Sequence, residues 1–299
     1  MNEIVPFDIS ETRRSEERRA DAVSALEDGS VVLMEDLPFA FTAAEEALYG
    51  ESLGDGVQKN ITLDPYLGKL SGLGDVPEEN KALIEGMLRR YRETTLEWLK
   101  DILGPYAQNL DPRRTTYRPV EIAGRKKIGK VGEDKAYRFD DSLLHPDAFK
   151  RRPIKGNRIF RIFTNINPTG KPRTWKVGHG FEAFAARYLN RIRDPHLGEF
   201  AFLNMTRQTH WPRTHYDHIM LNLHDMGKRD DAFQQDPAHV VFQFPAGATW
   251  FCFTDQALHA ALEGAYCLEQ TFELQVEHMS APEKSPLKVL ERLKGHALV

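Results

Sequence analysis

From about residue 114 onward the chain is cut into short runs rich in β-branched and aromatic residues, separated by Pro and Gly: TTYRPVEIAG, RIFRIFTNINP, AFLNMTRQTHW, HVVFQFPAGATWFCF and AYCLEQTFELQV. Runs of this length and composition read as strands, and turns at such close spacing leave a sandwich or a distorted jelly-roll barrel as ways to bury them. One helical insert interrupts the series: in GFEAFAARYLNRIRD, Phe181, Phe184, Tyr188 and Ile192 fall on one helical face. Regular strand-helix alternation is missing, as is any GxGxxG or P-loop pattern, which argues against a nucleotide-binding parallel sheet.

The N-terminal third has a different character. In TAAEEALYG, Thr42 is placed to cap a helix and Gly50 to stop it, and residues 78–103 carry Leu83, Ile84, Met87, Tyr91, Leu96, Leu99 and Ile102 near helical spacing. The expectation is an α+β chain with a mainly β core: a mainly helical region over residues 1–110 packed on a core over residues 111–299 that ends in a helix, the two forming one compact domain. A net charge of -4 predicts no general affinity for nucleic acid. The opening MNEIVPFDISETRRSEERRA has no apolar core of the kind an export signal needs, and no run approaches the roughly 20 apolar residues that cross a bilayer, so a cytoplasmic protein is expected. Cys252 and Cys267 sit among apolar residues and read as two buried reduced thiols.

The candidate chemistry begins at SLLHPDAFKRRPIKGNRIFRIFTNINP. His145 and Asp147 are two apart, so on an extended chain they point to one side and supply two of the three ligands of a two-histidine, one-carboxylate iron site. Such a pair is usually a turn or surface feature, and THYDHIML repeats the spacing with His215 and Asp217. A distant histidine separates the two: in FPAGATWFCFTDQALHAALEG a strand ending near Phe253 leads through a polar turn to His259, followed by small residues that leave room beside a metal. The alternative for His259 is a partly buried histidine bonded to a carboxylate such as Asp255, and the rival triad is His215, Asp217 and His259.

A dicarboxylate cosubstrate would also need a cation, preferably an arginine that can bond a carboxylate in two places. AYCLEQTFEL offers only Gln270 and Thr271, so the cation must come from another strand. Arg161 shares a strand face with Phe163 while Arg158 takes the opposite face, and Arg118 is the other candidate.

Taken together, LLHPDAFKRRPIKGNRIFRIFTNINPTGKPRTWKVG, YDHIMLNLHDMGK, FPAGATWFCFTDQALHAALEG, LEQTFEL and SPLKVLERLKG resemble the Kdo 3-hydroxylases, which modify 3-deoxy-D-manno-octulosonic acid (Kdo) in the inner core of lipopolysaccharide. The resemblance runs from about residue 112 to 294. It implies a double-stranded β-helix of the cupin-like jelly-roll kind, dependence on Fe(II), 2-oxoglutarate and O2, and His145, Asp147 and His259 as metal ligands. Pro146 departs from the small apolar residue expected between the first two ligands, a change that a strand end tolerates. The resemblance also implies Trp175 as a residue of the cosubstrate region, where Thr164, Arg161 and Arg118 are further candidates.

The implied acceptor is Kdo carried on lipid A, whose carboxylate and phosphates need a locally positive receiving surface. Lys150, Arg151, Arg152, Lys155, Arg158 and Arg161 follow the ligand pair with no acid among them, and Arg151, Arg152 and Arg158 are the acceptor candidates. A second group is Arg113, Arg114, Arg118, Arg125, Lys126 and Lys127. Such an acceptor implies peripheral contact with the inner face of the cytoplasmic membrane. The tail SPLKVLERLKGHALV, with Leu287, Leu290 and Leu293 on one stripe, reads as a helix packed on the protein's own sheet rather than on lipid. His215, Asp217, His218 and His224 carry no assigned role beyond a polar surround or substrate pocket. Two alternatives remain: a cupin-like metal-dependent hydrolase or isomerase, which would ignore 2-oxoglutarate, and a metal-free jelly roll that binds acidic sugars through arginines.

Overall fold

The computed structural model of the chain describes residues 3–49, 53–54, 60–123, 137–178 and 180–299. Gly50, Arg125, Lys126 and Lys127 lie outside the described residues. Its strands are β1 (Ile4–Pro6), β2 (Val31–Met34), β3 (Ile61–Leu63), β4 (Leu70–Ser71), β5 (Asp111–Arg118), β6 (Arg158–Asn165), β7 (Arg173–Val177), β8 (Val240–Phe244), β9 (Thr249–Phe253), β10 (His259–Glu263) and β11 (Cys267–Leu274). Its helices are α1 (Ile9–Arg14), α2 (Glu16–Glu27), α3 (Ala43–Glu46), α4 (Glu78–Leu103), α5 (Phe181–Tyr188), α6 (Glu199–Met205), α7 (His215–Arg229), α8 (Asp231–Gln234) and α9 (Pro286–Lys294).

An 8-stranded sheet runs in the order β1-β2-β9-β6-β11-β5-β3-β4 and a 3-stranded sheet in the order β10-β7-β8. Among the described residues only β1 and β2 pair in parallel; the other paired strands are antiparallel. Because side chains alternate along a strand, the large sheet has two different faces. One sends Phe160, Ile162, Phe251, Leu268 and Phe272 into a core shared with Ile84, Met87, Tyr91 and Leu99 of α4. The other sends Phe163, Trp250 and Cys252 against Trp175, Val177 and Phe244 of the small sheet. Each aromatic ring so buried contributes roughly 1.5–3 kcal/mol, and together they clamp the two sheets face to face. This is the expected α+β chain with a jelly-roll core, and both cysteines are buried and free.

Several elements depart from expectation. AFLNMTRQTHW is not a strand: its first part is α6, begun after Gly198 in a left-handed turn at φ 80°. The single helical insert is a run of four helices, α5 to α8. Helix α7 was legible in Tyr216, Ile219, Met220 and Leu223, which are buried and recur at helical spacing. The N-terminal region is helical in α2 and α4, but it also gives β1 to β4 to the large sheet, where short strands escaped the helical pattern around them. Thr42 caps α3 in a reciprocal capping box with Glu45. In the tail, α9 buries Leu287 and Leu290 in a cluster with Phe181 and Ala185 of α5, so it packs on a helix rather than the sheet.

Candidate metal centre

The centre forms where a segment outside the regular strands is stitched onto β10. His145 N donates to His259 O and His259 N donates to His145 O, each at 3.1 Å, an antiparallel bridge that sets the two imidazoles on the same side. Two residues on, Asp147 N donates to Thr254 O at 2.7 Å, so the chain is held extended and Asp147 returns to the face of His145. One nitrogen of His145, one of His259 and one oxygen of Asp147 lie within 4.8 Å of one another. The two imidazoles are matched: Nδ1 of His145 donates to Leu143 O at 2.6 Å and Nδ1 of His259 to Ala257 O at 2.9 Å. A ring that donates from Nδ1 keeps its Nε2 lone pair for a ligand.

Electrostatics prepare the same state. Burial pushes the pKa of both imidazoles down, and for His145 the charges of Lys228, His259 and His224 add to that effect. Burial alone would raise the Asp147 pKa, but the Arg161 guanidinium and His259 hold it below its ordinary value. Arg161 Nη2 stands 3.2 Å from Asp147 Oδ2 in an ion pair, yet Oδ2 makes no hydrogen bond although it is buried. Two neutral imidazoles and an ionised carboxylate with an unused oxygen fit a divalent iron and its need for open positions.

A cavity opens on this triad, lined by Arg118, Asp141, Arg161, Phe163, Arg173, Trp175 and Ala261 besides the three residues. Trp175 stacks on His259 with ring centroids 5.2 Å apart, and the ring of His224 meets His145 edge-on at 5.0 Å. From α7, His224 Nδ1 donates to Asp225 Oδ1 at 3.0 Å, and Arg138 pairs with the same carboxylate. Across the cavity, Glu269 takes Arg118 Nε at 2.8 Å and Arg161 Nη1 at 3.2 Å. Burial would raise the Glu269 pKa, but Arg118 and Arg161 hold it down, so the carboxylate is charged.

Several sequence candidates do not reach the cavity. Thr164 lies on the opposite face of β6, bonded to Tyr91 and Thr249, because strand parity separates it from Arg161 and Phe163. The same parity carries Arg158 to the helix side, where it is fully buried, donates to Asp255 Oδ2 at 2.8 Å and to Gln256 Oε1 at 2.6 Å, and cannot meet an acceptor. Asp255 is therefore engaged by Arg158, not by His259. Gln270 also faces away, accepting from Thr115. Arg151 is exposed, and Arg152 pairs with Glu273 at 3.0 Å.

The rival motif is a helix start. Asp217 accepts from Thr214 N at 2.9 Å in a capping box and from Ile154 N and Lys155 N, while His215 is exposed. His218 Nε2 contacts Arg193 O, so of the four histidines and acids left unassigned only His224 nears the triad. Three residues had escaped the sequence reading: Asp141 and Arg173 in the cavity wall, and Glu269 behind Arg118 and Arg161. Arg173 was signalled by Trp175 two positions later on the same strand face, and Glu269 by Thr271 in the same way.

A jelly roll that folds around a buried His, Asp and His set belongs to the class of metal-dependent oxygenases and their cupin-like kin. Within that class the chain belongs to the Kdo hydroxylase family: the model of 3-deoxy-D-manno-oct-2-ulosonic acid (Kdo) hydroxylase matches residues 10–297. Among solved structures it is similar to the Kdo hydroxylase KdoO, a non-heme Fe(II) alphaketoglutarate dependent dioxygenase, in complex with succinate and Fe(III). Identity there is 39% and the TM-score 0.90, covering 99% of this chain and 97% of that one. The complex of KdoO with alphaketoglutarate and Fe(III) is 40% identical with a TM-score of 0.89, covering 100% of this chain and 98% of that one. The apo form of KdoO is 39% identical with a TM-score of 0.91 and covers the same shares. No curated protein matches. The fold is accordingly the double-stranded β-helix.

Proposed function

We propose that the chain is an Fe(II)- and 2-oxoglutarate-dependent dioxygenase that hydroxylates Kdo at C3, with Kdo-bearing lipid A as acceptor. The products are the 3-hydroxy sugar, succinate and CO2. The observation that carries this reading is the buried, backbone-bridged set of His145, Asp147 and His259 in a chain of the Kdo hydroxylase family. The Nε2 atoms of the two histidines and the carboxylate of Asp147 would hold the metal, which when bound couples the oxidative decarboxylation of 2-oxoglutarate by O2 to insertion of oxygen into an unactivated C–H bond.

The protein's own part is binding and exclusion. Arg161 keeps Asp147 ionised and, with Arg118, shares Glu269, so both of these cations are already committed. Arg173 is better placed to take the far carboxylate of 2-oxoglutarate: it is buried in the cavity wall, its Nε has no hydrogen-bond partner, and Nη1 is steadied by Gly264 O at 3.1 Å. Gly264 permits this approach. Its φ of +111° suits glycine, and a Cβ would come within 3.0 Å of Arg173 Cα. Trp175, stacked on His259, keeps water from that ligand. Arg151 and Arg152 remain the candidates for the anionic groups of the acceptor. Among the described residues no helix is long and apolar enough to cross a membrane, so the lipid-borne acceptor would be met peripherally, at the inner face of the cytoplasmic membrane.

The test is incubation of anaerobically purified protein with Fe(II), 2-oxoglutarate and O2, with and without Kdo-bearing lipid A, reading succinate and a gain of one oxygen on the sugar. Acceptor-dependent succinate with hydroxylated Kdo is expected, and Arg173→Gln should raise the KM for 2-oxoglutarate more than it lowers kcat. Folded, metal-loaded protein that forms neither product would overturn the assignment.

A further inference from the structure

Helix α6 buries none of its residues, which is unusual for a helix this rich in apolar side chains. Around it, Leu197 is 107% exposed, Phe202 55%, Met205 75% and Trp211 40%. Among the described residues no other stretch of this length exposes as many large apolar side chains, and exposed apolar side chains gathered in this way mark a contact surface. Its surroundings are basic. Lys150, Arg151, Arg191, Arg193 and Arg207 are exposed nearby in sequence or through hydrogen bonds, although the whole chain is acidic. The two acids of the stretch are neutralised: Glu199 by Arg193 at 3.0 Å and Asp194 by Lys294 at 3.5 Å. Lys150, Arg151 and Arg207 pair with no carboxylate among the described residues.

The apolar segment is also fixed to the segment that follows the metal ligands. His210 N donates to Arg151 O at 2.9 Å, Trp211 Nε1 to Pro153 O at 2.6 Å, and Arg213 Nη2 to Lys150 O at 2.7 Å. Exposed aliphatic and aromatic side chains, an amphipathic Trp at their edge and unpaired cations beside them form the combination that an anionic lipid interface takes up.

We propose that residues 197–211, with Lys150 and Arg151, dock the protein on an anionic bilayer. Leu197, Phe202 and Met205 enter the acyl boundary, Trp211 sits at headgroup level, and the cations meet lipid phosphates. The use of this surface, presentation of a lipid-linked sugar to the cavity, rests on the function proposed above; the binding itself does not.

The two are therefore tested apart, with vesicles that contain no acceptor. Full-length protein is sedimented with vesicles of phosphatidylethanolamine and phosphatidylglycerol, and separately with phosphatidylcholine alone. Binding at least about tenfold tighter to the anionic vesicles is expected, with a loss of about that size in Phe202→Glu/Met205→Glu and on raising the salt. Brominated lipids should quench Trp211, the one exposed tryptophan beside buried Trp98, Trp175 and Trp250. Succinate formation by the double variant on detergent-dispersed acceptor should stay at the level of the parent protein, which shows that the variant is folded. Equal binding to both vesicle types, or wild-type binding by the variant, would overturn the proposal. So would a concentration-dependent dimer of the parent protein that the same substitutions dissolve, since the patch would then be covered by a second copy.

Discussion

The chain contains the pattern His-x-Asp twice, and the two copies do opposite things. At His145 and Asp147 the backbone is extended and bridged to β10, so both side chains enter one cavity. At His215 and Asp217 the backbone is the first turn of α7, where residues two apart diverge; His215 turns to solvent and Asp217 caps the helix and ties down Ile154 and Lys155. Identical spacing thus yields half of a candidate metal centre in one place and a structural clamp in the other. What decides between them is the local backbone period, two against 3.6.

The contrast can be broken most directly at the first copy. His145→Ala should abolish succinate formation and hydroxylation, with rates down by at least about a thousandfold, because an open iron site with one ligand missing neither holds nor orients its metal; His215→Ala should retain activity. Equal loss in both, measured by succinate release, would end the distinction. Next in size is the response to metal. Added Fe(II) under argon should raise the Tm of the parent protein and of Asp217→Ala but not of His145→Ala, since only a chain that binds the ion gains the stability of binding, about 2.7 kcal/mol at a hundredfold excess over Kd.

A third expectation sharpens the second copy. Asp217→Ala should lower stability by about 2 kcal/mol in urea unfolding, through lost capping and the buried N–H of Ile154 and part-buried N–H of Lys155 left without an acceptor, while metal stoichiometry stays at one. The smallest effect is that of Thr214→Ala, about 1 kcal/mol, because Asp217 would still serve Ile154 and Lys155.

The same distinction explains what could be read from the sequence. Strands β6, β9 and β11 announced themselves as runs of β-branched and aromatic residues set off by Pro and Gly, and helix α4 by a long helical period. Parity on β6 correctly put Arg161 and Phe163 together and Arg158 apart, but it also excluded Thr164, which had been placed with the cosubstrate. His145, Asp147 and His259 were legible through the surrounding blocks and their resemblance to a family, since a pair of residues two apart has no fold of its own. Asp141, Arg173 and Glu269 were not, and His224 was only one of four residues offered for a polar surround. Parity says which residues share a face, not which face meets a cavity, and His224 reaches His145 only because α7 packs over the bridge. α6 was misread as a strand because its apolar residues face solvent and leave no buried stripe.

The reciprocal bridge between His145 and His259 has a consequence for the order of events during synthesis. The ribosome delivers His145 and Asp147 long before β9, β10 and β11 exist, and Thr254, which holds Asp147 in place, comes late as well. A nascent chain therefore holds at most two of the three residues of the candidate centre, on a segment that nothing yet aligns. A complete site waits for β9 and β10 to pair, so its assembly is a late step of folding rather than a local one.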